Sequence, residues 1–164
     1  MVLFICNLST AQSLPVIYKS NILVFGSMEE IIELLIKIGK LKDLKRTGWV
    51  LKNVPNPESV ADHSFRTSIM ALLLADKLKL DEEKCLKMAL IHDISESLAG
   101  DITPHDSITD DEKHKLEKKA MQRLFKDVNG NKIIDLWNEY EEKKSPEAKF
   151  IYELDKIEML LQAF

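Results

Sequence analysis

An all-α bundle of about six helices is the fold class this sequence predicts, and three observations predict it. From Met28 onward, apolar residues recur at helical spacing in one segment after another. Helix-start and turn signals separate the segments, among them Asp81, Thr109-x-x-Glu112, Asn129-Gly130 and Ser145-Pro146. No convincing strand series follows residue 28, and no internal repeat or low-complexity tract is visible.

The helices justify themselves in chain order. Ile31, Leu34, Leu35, Ile38 and Leu41 form one stripe, and Ser27-x-x-Glu30 matches a capping box ahead of it. Residues 45–57 hold a glycine, two prolines and no helical period, which predicts an ordered loop. Asn56-Pro57 predicts the start of a second helix with proline at its first position, running to about Lys79. That helix is apolar nearly all round from Ile69 to Ala75, so it is expected to be central and buried. Asp81 opens a third helix, expected from Glu82 to about Ser97 with Gly100 as its stop. Residues 101–106 form a polar loop, whose His105 and Asp106 stand near the site without being assigned to it. Thr109 opens a charged helix to about Val128 with Leu116, Ala120, Leu124 and Phe125 inward. A further helix covers 132–143, and the last carries Ile151, Leu154, Ile157 and Leu161 as its expected inward face.

At 164 residues the chain fits one domain with a real core. Residues 28–164 are read as that domain and residues 1–27 as an extension of unclear role, with an added strand or packed arm as the alternative. The first 27 residues lack a basic start and an unbroken apolar run of spanning length, so neither a signal peptide nor a membrane span is expected. A net charge of -4 without a dense basic block argues against binding nucleic-acid polymers. Cys6 and Cys85 form no CxxC pair, and a reducing compartment, the cytoplasm, is the expected home.

Chemistry concentrates in Ala89-Leu90-Ile91-His92-Asp93-Ile94-Ser95-Glu96, where a histidine and an aspartate stand side by side at the end of an apolar run. An apolar face normally excludes such groups unless something compensates them. Alone, the pair is more commonly a satisfied core histidine beside a surface carboxylate; a catalytic metal needs three or more protein ligands. His63 meets that need on the inward line Thr67, Met70 and Leu74, and Asp155 does so between Ile151 and Met159. A backbone-bonded histidine and an ordinary salt bridge are their structural alternatives. Glu96, one turn past His92, can reach a bound water or leaving group. In the 45–57 loop, the Arg46 guanidinium suits a phosphate and the Trp49 indole suits a flat ring, although a solvated charge and a core anchor fit them too.

The order His63, His92-Asp93, Asp155 resembles the H…HD…D pattern of the HD-domain metal-dependent phosphohydrolases. Arg46-Thr47-Gly48-Trp49, Ser59-Val60-Ala61-Asp62-His63, His92-Asp93 through Glu96 to Gly100-Asp101, and Asp155-Lys156-Ile157-Glu158 bring the resemblance closest to their 5′-deoxynucleotidase branch. The resemblance implies a helical HD fold, often dimeric, with one divalent metal on His63, His92, Asp93 and Asp155. It implies Glu96 as catalytic acid, Asp101 as a second acidic residue for the sugar and the water on the metal, and Arg46 and Trp49 as the phosphate and nucleotide contacts. Members of the family generally continue through another helix after the equivalent of Asp155, so part of the pocket wall or dimer contact is left open here. The donor set suits Mn²⁺, Co²⁺, Ni²⁺, Fe²⁺ or Zn²⁺. The expected activity is hydrolysis of (deoxy)nucleoside 5′-monophosphates to nucleoside and phosphate. The rivals are a phosphodiesterase, a guanosine-polyphosphate hydrolase, and a non-catalytic, metal-stabilised nucleotide-sensing module.

Overall fold

The structure, a computed structural model, describes residues 28–164. The readings of residues 1–27 and of Ser27 as a cap fall outside the described residues. Eight α-helices follow one another: α1 (Met28–Gly39), α2 (Thr47–Leu51), α3 (Val60–Leu74), α4 (Glu82–Ile91), α5 (Glu96–Ala99), α6 (Asp110–Phe125), α7 (Asn131–Glu141) and α8 (Pro146–Gln162). Six of these run ten residues or more, and the two short ones, α2 and α5, carry site residues. The fold is all-α; one isolated antiparallel bridge, Lys45 with Ser59, is its sole extended pairing among the described residues.

The local signals that set the long helices act as expected. The Asp81 carboxylate accepts from Lys84 N at 3.0 Å, Thr109 and Glu112 form a reciprocal capping box, and Ser145 caps α8 with Pro146 at its first turn. Helix α3 packs chiefly on α4 and α8. Between them lies one core cluster containing Ala71, Ala75, Cys85, Met88, Ala89, Ile151 and Leu154, whose alanines let the backbones approach closely. A second cluster gathers Leu41, Val60, Ile94, Met121, Leu124, Phe125 and Trp137 beneath α5 and α6.

Four expectations are corrected. Residues 45–57 are not all loop, since they contain α2. Helix α3 begins at Val60 rather than Pro57: Asn56 has a left-handed φ of 51° unsuited to an N-cap, and Ser59 bridges Lys45 in extended form, with Arg46 N donating to Glu58 O and Val60 N to Leu44 O. Ser59 and Asp62 supply the capping box instead. The third helix stops at Ile91, not Ser97. There the His92 carbonyl accepts from Trp137 Nε1 at 3.2 Å, while Ala89 O takes His92 Nδ1, and tight turns carry the chain to α5. Gly100, at φ 84°, then ends α5 in a backbone region that favours glycine.

The fourth correction concerns faces. Helix α3 is not buried all round, since Leu73 is 61% exposed and Phe65 67%. Leu116, Ile157 and Leu161 also face outward. On α6 the buried line is Glu117, Ala120, Met121, Leu124 and Phe125, so a glutamate occupies the inward place expected of Leu116.

Candidate metal centre

His63 stands one turn into α3, fixed by the Ser59 and Asp62 capping box and fully buried. Its Nδ1 lies 2.5 Å from Glu158 Oε2 on α8. Its Nε2 points to the end of α4 and the middle of α8, 3.2 Å from His92 Nε2, 3.0 Å from Asp155 Oδ1 and 3.5 Å from Asp93 Oδ2. His92 is oriented the same way: Nδ1 meets Ala89 O at 2.8 Å, and Nε2 faces Asp93 Oδ2 at 3.3 Å. The break after Ile91 thus places His92 and Asp93 at the mouth of the three-helix junction.

This arrangement is electrostatically incomplete. Each ring turns Nδ1 to an oxygen acceptor, so the neutral imidazole carries its proton there and its Nε2 is a lone pair. Two such lone pairs at 3.2 Å repel unless a proton or cation lies between them. Asp155 Oδ1 adds to the imbalance, being buried without an aligned hydrogen-bond donor. The surrounding field shows the same demand for positive charge. Burial by itself lowers the basicity of His63, yet the Asp155 and Glu158 carboxylates outweigh it and raise the imidazole to about 9. Burial works to raise the Asp93 carboxyl, but His92 and Arg46 beside it hold it well below the usual carboxylate range.

The donor atoms of His63, His92 and Asp93 all lie within 4.8 Å of one another, and Asp155 joins through His63. Two imidazole nitrogens and two carboxylate oxygens, with an orphaned oxygen among them, suit a divalent transition ion. The four predicted ligands therefore converge, from α3, the end of α4, and α8.

Glu96, the first residue of α5, is 5% exposed, and its buried Oε2 has no hydrogen-bond partner. Burial, then the negative charges of Asp93 and Asp101, push its carboxyl well above its ordinary value. A carboxyl so placed holds its proton more tightly than an exposed one, which suits it to give a proton into the adjoining cavity. That cavity, of about 680 Å³, is lined by Arg46, Trp49, Asp93, Glu96, Asp101 and Asp155 among others.

Arg46 and Asp101 are coupled. Arg46 Nη1 donates to Asp93 Oδ2 at 3.0 Å, and Nη2 lies 3.7 Å from Asp155 Oδ1. The Asp101 carboxylate accepts from Thr47 N, and its carbonyl accepts from Thr47 Oγ1 at 2.8 Å, so Asp101 fixes the start of α2 directly after Arg46. Trp49 Nε1 donates to Glu58 Oε1 at 3.0 Å. The predicted residues other than His63 line this cavity, and His63, fully buried behind it, meets Asp93 and Asp155 from within.

Sequence reasoning passed over Glu58, Arg66, Glu158, Lys113 and Glu117. The signal for two of them was helical spacing: Arg66 is three residues past His63 and Glu158 three past Asp155, so each shares a face with a site residue. Lys113 Nζ donates to Ile102 O at 3.0 Å and lies 3.7 Å from Glu117 on the cavity wall. Their positions depend on how α6 packs, which no local pattern encodes. His105 lines the cavity, whereas Asp106 is exposed and caps Thr103.

Comparison with known proteins gives the family. A family model described as HD domain matches residues 38–164. The chain is 45% identical over 139 residues to a protein named 5′-deoxynucleotidase HDDC2 from Danio rerio, covering 83% of this chain and 69% of that one. It is 46% identical over 147 residues to the protein of that name from Dictyostelium discoideum, covering 84% and 77%. Among solved structures, it matches a Pyrococcus horikoshii protein at a TM-score of 0.72 and 38% identity, over 80% of this chain and 76% of that one. A predicted metal-dependent phosphohydrolase from Magnetospirillum magnetotacticum matches at a TM-score of 0.68 and 33% identity, over 81% and 70%.

Proposed function

The chain belongs to the HD domain family, and from that premise we propose that it is a metal-dependent phosphomonoesterase, hydrolysing (deoxy)nucleoside 5′-monophosphates to nucleoside and phosphate. The observation that carries this reading is the pairing of facing acceptors at His63, His92 and Asp155 with a buried Glu96 whose Oε2 has no partner beside them. A structural metal has no use for such an acid; a phosphate-ester hydrolase needs one for its leaving group.

His63, His92, Asp93 and Asp155 would hold the ion. When bound, a divalent ion supplies Lewis acidity toward a phosphoryl oxygen and lowers the pKa of the attacking water. The remaining work falls to the chain. Arg46, in the Asp101-fixed segment, offers a guanidinium fork to the phosphate oxygens, balancing charge as the ester bond breaks. Trp49 has its indole N–H committed to Glu58, which orients the ring and leaves its face for the nucleobase. Asp101 serves the sugar. Glu96 gives its proton to the departing 5′-oxygen.

The ion is one of Mn²⁺, Co²⁺, Ni²⁺, Fe²⁺ or Zn²⁺, which a mixed nitrogen and oxygen set accepts alike. Residues 28–164 act as one domain. The chain pairs as a homodimer, supported by Phe65, Ile69, Leu72 and Leu73, which turn a continuous apolar stripe outward along α3. The reducing cytoplasm suits a chain whose Cys85 is a buried thiol, its pKa pushed up to about 11 by burial. Among the described residues no helix is long and apolar enough to cross a membrane.

The test is phosphate release from a panel of deoxyribo- and ribonucleoside 5′-monophosphates with added Mn²⁺ or Co²⁺. The reading expects release that a Glu96→Ala variant lacks. Cleavage confined to cyclic or polyphosphorylated nucleotides would favour the phosphodiesterase or polyphosphate reading. Thermal stabilisation by metal and nucleotide without release would favour the sensing module.

A further inference from the structure

The edge of His63 opposite the donor cluster meets a second ionic group, built from Glu58, Arg66 and Glu158. Glu158 is fully buried and Glu58 is 8% exposed. Each carboxylate divides its two oxygens in the same way. One Glu158 oxygen holds His63 Nδ1 and the other accepts from Arg66 Nε. One Glu58 oxygen holds Trp49 Nε1 and the other accepts from Arg66 Nη2 at 2.9 Å. Gln162 also accepts from Arg66 Nη2.

The donor atoms of Glu58, His63 and Glu158 all lie within 4.8 Å of one another, a spacing at which acids repel unless a cation intervenes. Arg66 supplies that charge. Its planar fork fixes the relative placement of the two carboxylates, which a point charge could not do. A continuous chain of hydrogen bonds therefore runs from the Trp49 indole through Glu58, Arg66 and Glu158 to the His63 imidazole.

We propose that Arg66 is a positioning residue that couples the nucleoside seat at Trp49 to the metal seat at His63, so that occupancy of either one tightens the other. The inference rests on the function proposed above for those two seats. A ligand imidazole keeps its tautomer and orientation through the acceptor on its other nitrogen, here Glu158. A ring stacked on Trp49 orders the indole and Glu58, and Arg66 carries that order to Glu158. Linkage makes the effect reciprocal.

The experiment is a Co²⁺ titration followed by the visible absorption of the metal-loaded chain, with and without a deoxynucleoside. The deoxynucleoside lacks the phosphate that would bind the ion, and E58Q, which leaves the sugar side of the site intact, separates the indole route from any contact made there. In the wild type, saturating deoxynucleoside is expected to tighten Co²⁺ binding by about fivefold or more. R66M is expected to weaken Co²⁺ binding by roughly 10- to 100-fold and to abolish the tightening. E58Q should keep near-wild-type Co²⁺ affinity while losing the tightening, and E158Q should lose affinity as R66M does. If R66M does not fold, as judged by far-UV circular dichroism, E58Q and E158Q carry the test. Wild-type tightening that persists unchanged in E58Q, or an E158Q or folded R66M that binds Co²⁺ as the wild type does, overturns the inference alone. A wild type that takes up no Co²⁺ overturns the proposed function and the inference with it.

Discussion

Two acid-rich junctions of this fold behave in opposite ways. At one, Lys84 of α4 reaches Glu139 of α7 at 2.6 Å and Glu147 of α8 at 3.3 Å, and the triad is satisfied within the chain. At the other, Asp93, Asp155, Glu96 and two imidazoles crowd one cavity, with Arg46 as the guanidinium touching Asp93 and nearing Asp155. The first leaves none of its acid oxygens buried without a partner, whereas the second leaves Glu96 Oε2 and Asp155 Oδ1 so. A cluster of carboxylates is thus no mark of function by itself. What distinguishes the cavity is that buried acid oxygens stay without a partner beside Arg46 and the imidazoles, a condition that a bound cation and a transferable proton satisfy.

The sharpest way to break the comparison is to remove a donor. H92A is expected to abolish Co²⁺ uptake and reduce phosphate release to background, measured by absorption titration and by phosphate assay. Next in size, E96Q keeps the shape of the acid without its proton, and kcat is expected to fall by about 10²- to 10⁴-fold with Co²⁺ affinity retained. The sign of the pH dependence follows from the raised Glu96: the protonated form is the active one, so kcat declines as pH rises through its pKa, and that limb disappears in E96Q.

A smaller effect belongs to Glu117 on the cavity wall. Burial lifts its carboxyl from 4.5 to about 7, only partly offset by Lys113. A raised carboxyl contributes stability fully below its unfolded value, and that contribution is lost as pH rises through the folded one. E117Q should therefore match the wild type in thermal unfolding at pH 4.5 and exceed it at pH 8, by up to about 3 kcal/mol. Equal stability at both values would show that Lys113 already compensates the charge. At the satisfied junction the expected change is least: K84M costs under about 1 kcal/mol and leaves turnover untouched.

The contrast also explains what could be read from the chain. The helices were legible because their signals are local: Asp81, Thr109 with Glu112, and Ser145-Pro146 cap where sequence places them. His63, His92, Asp93 and Asp155 were legible because polar groups stood on otherwise apolar lines. The start of α3 was misplaced because the Leu44 to Arg46 pairing, a contact between distant backbones, overrides the proline signal at Pro57. The stop of α4 depends on Trp137, 45 residues away. The burial of Glu117 and the partners of Arg66 come from tertiary packing, which no local pattern spells out.

The most direct test of the central claim is a crystal structure of the Mn²⁺- or Co²⁺-soaked protein with the ion identified by anomalous scattering. A single ion is expected about 2.0–2.2 Å from His63 Nε2, His92 Nε2, Asp93 and Asp155, with the two imidazole nitrogens keeping close to their present 3.2 Å separation. An ion seated elsewhere, or no ion between those two nitrogens in a metal-saturated crystal, would contradict it.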